Sequence, residues 1–291
     1  MPYTSDELIQ TARDAGLLLT KSRIRDWVQV GLLGHPFRRG RGRGKGIIAT
    51  WPDNQMRLLL TTLRQRQTVR TITPLLNIPV WVWLRLGDEH VSQAQVRRAL
   101  ASWTKKTRVS DQLGAERAAR RLVGKLAAPQ ARRATKKRLA TELLWQQITI
   151  VYDPEALMVA ARAVVDPSGS HPERGPVSAP LSAERYSAIM AARGQAISAI
   201  VANSIGPEVF EAARSRYVSS RAGYAIEQPQ LSRDPSTGHI FDPVDAQNEV
   251  TTACNDLVIE YWSVDIGQSS TIGTWRRALN VCGERMLIPN R

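Results

Sequence analysis

The stretch RRGRGRGKG, residues 38–46, holds five positive charges and four glycines in nine positions. Guanidinium and ammonium groups bind phosphate, and glycine lets a backbone turn tightly and approach a ligand closely. Three arrangements use that chemistry. A disordered Arg/Gly segment that binds RNA is normally longer, punctuated by aromatic residues and terminal; this one is short and lies inside a folded pattern. A nucleotide-phosphate loop needs GxxxxGK followed by Ser or Thr, after a strand and before a helix. Here only three residues separate Gly40 from Gly44, Gly46 follows Lys45, and the downstream IIATW reads as a strand. What remains is a solvated charged loop, or the tip of a hairpin that lays arginines on phosphates or in a minor groove. The flanking elements favour the hairpin.

Other chemistry is sparse. Cys254 and Cys282 stand far apart with no CxxC spacing, which argues against a disulfide framework or a thiolate metal cluster. The four histidines, His35, His90, His171 and His239, are scattered. GxSxG, HExxH and Cys/His arrangements are absent, so no enzymatic activity, catalytic residue, metal site or cofactor is expected. Glu260, Tyr261 and Trp262 suggest a pocket for an organic effector. However, Leu257, Tyr261 and Val264 share one helical face, which ordinarily means core.

Capping and periodicity supply the elements that must position the Arg/Gly stretch. Thr4 and Glu7 have capping-box spacing, and Leu8, Ile9, Ala12 and Ala15 follow at helical intervals, which predicts a helix over 5–15. Gly16 ends it, and Thr20 can cap a second helix with Ile24, Trp27 and Val28 on its inner face. Two short helices joined by a tight turn make a helix-turn-helix. Residues 37–51 then predict a two-stranded wing tipped by the Arg/Gly repeat. Helices are expected at 53–66 and 68–77, from Ser92 through SQAQVRRALASWTKK, at 111–127 and 130–151, and from Pro154 through PEALMVAARAVV. IPVWVWLRLG, interrupted by Pro79, Arg85 and Gly87, reads as core rather than a membrane span. DPSGSHPERGPVSAP breaks every period and reads as a linker. Helical patterns return at 182–204, 207–221, 243–264 and 270–281, with EQPQLSRDPSTGHIFDP as a loop among them. The expected class is mainly α: an N-terminal winged helix-turn-helix with a small β wing, then helical domains. The expected division is 1–78 for the winged domain, 79–165 for a basic middle region serving dimerisation or extra DNA contact, 166–181 for a linker, and 182–291 for a C-terminal helical domain.

Charge is unevenly spread. Residues 1–152 carry 28 Lys and Arg against 10 Asp and Glu, whereas residues 153–291 carry 12 against 16. A strongly basic front half implies a polyanionic partner, most often nucleic acid. Fourteen of the cations fall within 97–138, where few acids can neutralise them. The N-terminus has no basic and apolar leader, so a soluble, cytoplasmic protein is expected.

The pieces TSDELIQTARDAG, SRIRDWVQVGLL, the Arg/Gly wing and LRQRQTVRTITPLL, spanning residues 4–76, resemble the winged-helix DNA-binding domain of the MerR family of bacterial regulators. The resemblance covers about a quarter of the chain. It implies that residues 20–29 enter the major groove and that the wing grips the flanking backbone. Arg25 matches the arginine after Ile in the family's recognition helix. Asp26 stands where the family has an aromatic residue, and IATW where its wing carries Tyr-Arg-x-Tyr. Small recombination accessory proteins share the same winged fold, so fold alone does not select transcription control. Family members usually dimerise through a long helix after the winged domain, and the candidate here is 111–151, interrupted by Pro129. The expected function is a sequence-specific, homodimeric DNA-binding transcriptional regulator of a bacterium or mobile element. The alternative is an accessory protein of recombination, partition or another mobile-element complex. On double-stranded DNA, base contacts are expected from Thr20, Lys21, Ser22 and Arg23, and phosphate or minor-groove contacts from Arg25 and from Arg38, Arg39, Arg41, Arg43 and Lys45 of the wing. The C-terminal domain is the expected surface for a protein partner.

Overall fold

The computed structural model describes residues 2–40, 47–107, 112–149, 153–168, 196–197, 199–233 and 249–258. These residues are mainly helical, with one small antiparallel sheet. Helix α1 (Ser5–Asp14) starts at the expected capping box: Thr4 Oγ1 accepts from the Glu7 amide at 3.3 Å, and Glu7 Oε2 accepts from the Thr4 amide at 2.6 Å. Helix α2 (Lys21–Val30) buries Ile24, Trp27 and Val28 and ends at Gly31. Gly31 has φ 86°, and a Cβ there would lie 2.3 Å from the Ala99 amide nitrogen. Only glycine satisfies both constraints.

The sheet has three strands, where the sequence predicts two. Strand β1 (Tyr3–Thr4) joins β2 (Phe37–Gly40) and β3 (Ile47–Trp51) in the order β1-β3-β2. In β1, Tyr3 faces Trp51 and Thr4 faces Thr50. Two residues are too few to show alternation, so this pairing is a tertiary event.

Helix α3 (Asp53–Thr68) follows, but no helix fills the expected 68–77. Val69 is extended, a 3₁₀ turn covers Pro74–Leu76, and α4 (Asn77–Leu86) takes in most of IPVWVWLRLG. Pro79 is tolerated because it sits in the first turn, where an amide has no intrahelical partner to lose. Helix α5 (Gln93–Thr107) precedes α6 (Gln112–Leu126), α7 (Arg133–Thr149) and α8 (Pro154–Val165). Helix α9 (Pro207–Leu231) runs past its expected end at 221 into the predicted loop. Pro229 lies so near its terminus that little of the hydrogen-bond ladder is lost.

Two hydrophobic cores result. The larger one continues across residue 78: Leu8, Trp27, Leu59, Trp83 and Leu100 share it with Phe210, Tyr217 and Leu257 from the C-terminal helices. Specific bonds dock those helices. The Arg85 guanidinium pairs with Glu249, the Trp81 indole donates to Glu249 Oε2 at 3.2 Å, and the Cys254 amide donates to Asn77 Oδ1 at 2.9 Å. The smaller core lies among α6, α7 and α8, built from Val123, Leu139, Leu143, Leu157 and Val164. Among the described residues no helix is long and apolar enough to cross a membrane. Most of the expected linker and the patterns at 270–281 lie outside the described residues.

Candidate nucleic-acid interface

The start of α2 is organised by its cap. Thr20 Oγ1 accepts from the Arg23 amide at 3.2 Å, which keeps the hydroxyl proton free to donate outward. Lys21 Nζ lies 2.8 Å from Asp6 Oδ1, with the two side chains 66% and 73% exposed, so the pair is weak and easily exchanged for another anion. The Arg23 guanidinium donates to the Leu18 carbonyl at 2.9 Å and thereby braces the turn between α1 and α2. Ser22 and Arg25 are exposed. They share a face with Asp26 and Gln29, opposite the buried Ile24, Trp27 and Val28, because residues three, four and seven apart align on a helix. Gln29 is not among the residues selected from sequence, although its i+7 spacing from Ser22 points to it. Its amide can both donate to and accept from a base edge.

Arg38 and Arg39 lie in β2, and both are exposed. Strand alternation sends them to opposite faces, Arg38 with its partner Ala49 and Arg39 with its partner Ile48. Arg41, Arg43 and Lys45 lie outside the described residues.

Buried polar bonds fix the connection from α2 to β2. The Gly34 amide donates to Gln55 Oε1 at 2.7 Å, and its carbonyl accepts from the Trp51 indole at 2.8 Å. Gln55 Nε2 in turn donates to Gln95 Oε1 at 2.9 Å. Helix α2, the hairpin, α3 and α5 are thus joined at one point. The next residue, His35, is held below its ordinary pKa, first by desolvation and then by the positive charges of Arg98 and Arg38. Burial likewise pushes the Arg98 guanidinium down, and its Nε is buried without a hydrogen-bond partner.

The other residues weighed for chemistry are dispersed. Cys254 is buried, and burial pushes its thiol up. The backbone carbonyls of Glu89 and His90 accept from the Asn54 side-chain amide, which ties the His90 turn to α3. Among the described residues no group of three or more His, Cys, Asp or Glu can hold a metal ion. Glu260, Tyr261, Trp262 and Cys282 lie outside the described residues. Comparison of the chain with models of known protein families, with curated proteins and with solved structures found no match.

Proposed function

We propose that the chain is a sequence-specific, dimeric DNA-binding regulator of transcription, with an N-terminal winged helix-turn-helix of MerR-like type. In this reading α2 enters the major groove, where Ser22, Arg25 and Gln29 meet base edges. Thr20, Lys21 and Arg23 meet backbone at the helix start. The β2–β3 hairpin is the wing, and Arg38 and Arg39, with Arg41, Arg43 and Lys45 beyond them, meet phosphates or the minor groove. The observation that carries the reading is the polar face of α2, held to an arginine-bearing hairpin by the Gly34, Gln55 and Gln95 bonds. Arg117, Arg121, Lys125 and Lys137 on α6 and α7 are exposed as well and add to the chain's attraction for a polyanion.

Salt dependence tests it. A dimer that meets about five phosphates per subunit has a log affinity versus log salt slope near −9, at roughly −0.9 per phosphate. Replacing Arg39, Arg41 and Arg43 by Ala flattens that slope; an unchanged slope and affinity sink the wing assignment. Sequencing the DNA captured by the purified chain then reports the role. Two-fold symmetric sites at promoters support the regulator, while sites at attachment or partition sequences support an accessory protein of recombination or partition.

A further inference from the structure

We infer that Arg98 of α5, with His35 and Arg38, forms a phosphate-binding cradle at the root of the hairpin, taking a backbone phosphate of the bound duplex. The inference rests on the DNA-binding reading above and adds a contact from an element outside residues 1–78.

Arg97 and Arg98 are adjacent, so on a helix they project about 100° apart and meet different surroundings. Arg97 is committed to the fold: it donates to the Ile205 carbonyl and lies 4.2 Å over the Phe210 ring. Arg98 is half-buried, and no carboxylate among the described residues pairs with it. A partly desolvated cation without a counter-ion opposes folding, and arginine cannot escape by losing its proton.

The packing brings this group to the hairpin. Helix α5 lies against the end of α2 at Gly31 and Ala99, the residue after Arg98. One turn earlier, Gln95 reaches Gly34, the residue before His35, through Gln55. His35 feels the charges of both Arg98 and Arg38, and among the described residues no acid offsets them. The α5 backbone beside Gly31 and the Gln95–Gln55–Gly34 bonds thus set Arg98 near the root of the hairpin, where positive charge gathers and stability alone favours an acid. An external anion supplies the missing charge, and a guanidinium fork matches phosphate oxygens in pairs. A site beside α2 and the hairpin takes that phosphate from the duplex they hold.

The test compares the full chain with its Arg98→Gln and Arg98→Lys variants on a labelled duplex of about thirty base pairs and on a scrambled duplex of equal length. Arg98→Gln weakens both by roughly tenfold at about 0.1 M salt and removes about one unit of salt slope. Arg98→Lys recovers most of the loss. The urea midpoint of Arg98→Gln stays the same or rises, and in the free variant His35 titrates closer to its ordinary value, read by NMR. A lowered midpoint makes Arg98 a structural brace and overturns the inference. Unchanged binding overturns it too, and if Arg25→Ala still weakens the complex, the regulator reading stands. If neither variant alters binding, the DNA-binding reading falls with it.

Discussion

Arg25 is exposed and Arg98 half-buried, and that difference decides what each arginine contributes. Arg25 has solvent in the free protein and no fold to support, so Arg25→Ala leaves the melting temperature alone. Its expected cost is about 1–3 kcal/mol in affinity for the selected site, smaller for a scrambled duplex, if it reads a base; equal losses on the two duplexes assign it to phosphate. A third arginine, Arg221, is structural. It lies 2.6 Å from Asp256, with the two side chains 9% and 0% exposed. Burial pushes the Asp256 carboxyl up, while Arg221 and the Thr252 hydroxyl oppose that shift. Arg221→Ala strands a buried carboxyl and should destabilise the chain by about 3–5 kcal/mol in urea. A loss below about 1 kcal/mol, within the range of exposed pairs, contradicts this account. Tyr217 beside it is pushed up to about 12, chiefly by burial, so it stays neutral and contributes packing rather than charge.

Among the elements, α2 depends on both of its ends. Thr20→Ala removes the cap and should cost about 1 kcal/mol, with faster amide exchange confined to the first turn of α2. Gly31→Ala meets a left-handed backbone, worth about 1–2 kcal/mol, together with a clash against α5. It should therefore destabilise the chain more than Thr20→Ala does, and the reverse order in thermal denaturation contradicts the packing described here. Docking of residues 249–258 is linked to pH through Glu249. Burial raises its pKa, but hydrogen bonds from Arg85 and Trp81 and the charges of Arg85 and Arg221 outweigh this, so the net shift is downward. The stabilisation is therefore complete above the ordinary value of 4.5 and is lost as pH falls through the lower folded value. Amide exchange at 249–258 should accelerate over that interval, and Glu249→Gln should remove the acceleration.

At the scale of the whole molecule, two cores predict two cooperative units. Leu139→Ala, at a fully buried position of the α6–α8 core, should cost that unit about 2–5 kcal/mol. Hydrogen exchange then quickens in α6–α8 and stays unchanged in α1–α5; a uniform loss of protection means a single unit. The sequence by itself determined the beginnings of α1 and α2, because Thr4, Glu7 and Thr20 act on amides within three residues of themselves. It also determined the hairpin and the basic character of the front half, which follow from turn chemistry and counted charges. Only the tertiary structure decided that β1 completes the sheet, that the C-terminal helices enter the first core, and that the charge of Arg98 acts on His35 while Arg97 turns to Phe210. Linear pattern reports which face of an element is apolar. Which partner covers that face, and which charge then goes without a counter-ion, depends on contacts between residues far apart in the chain.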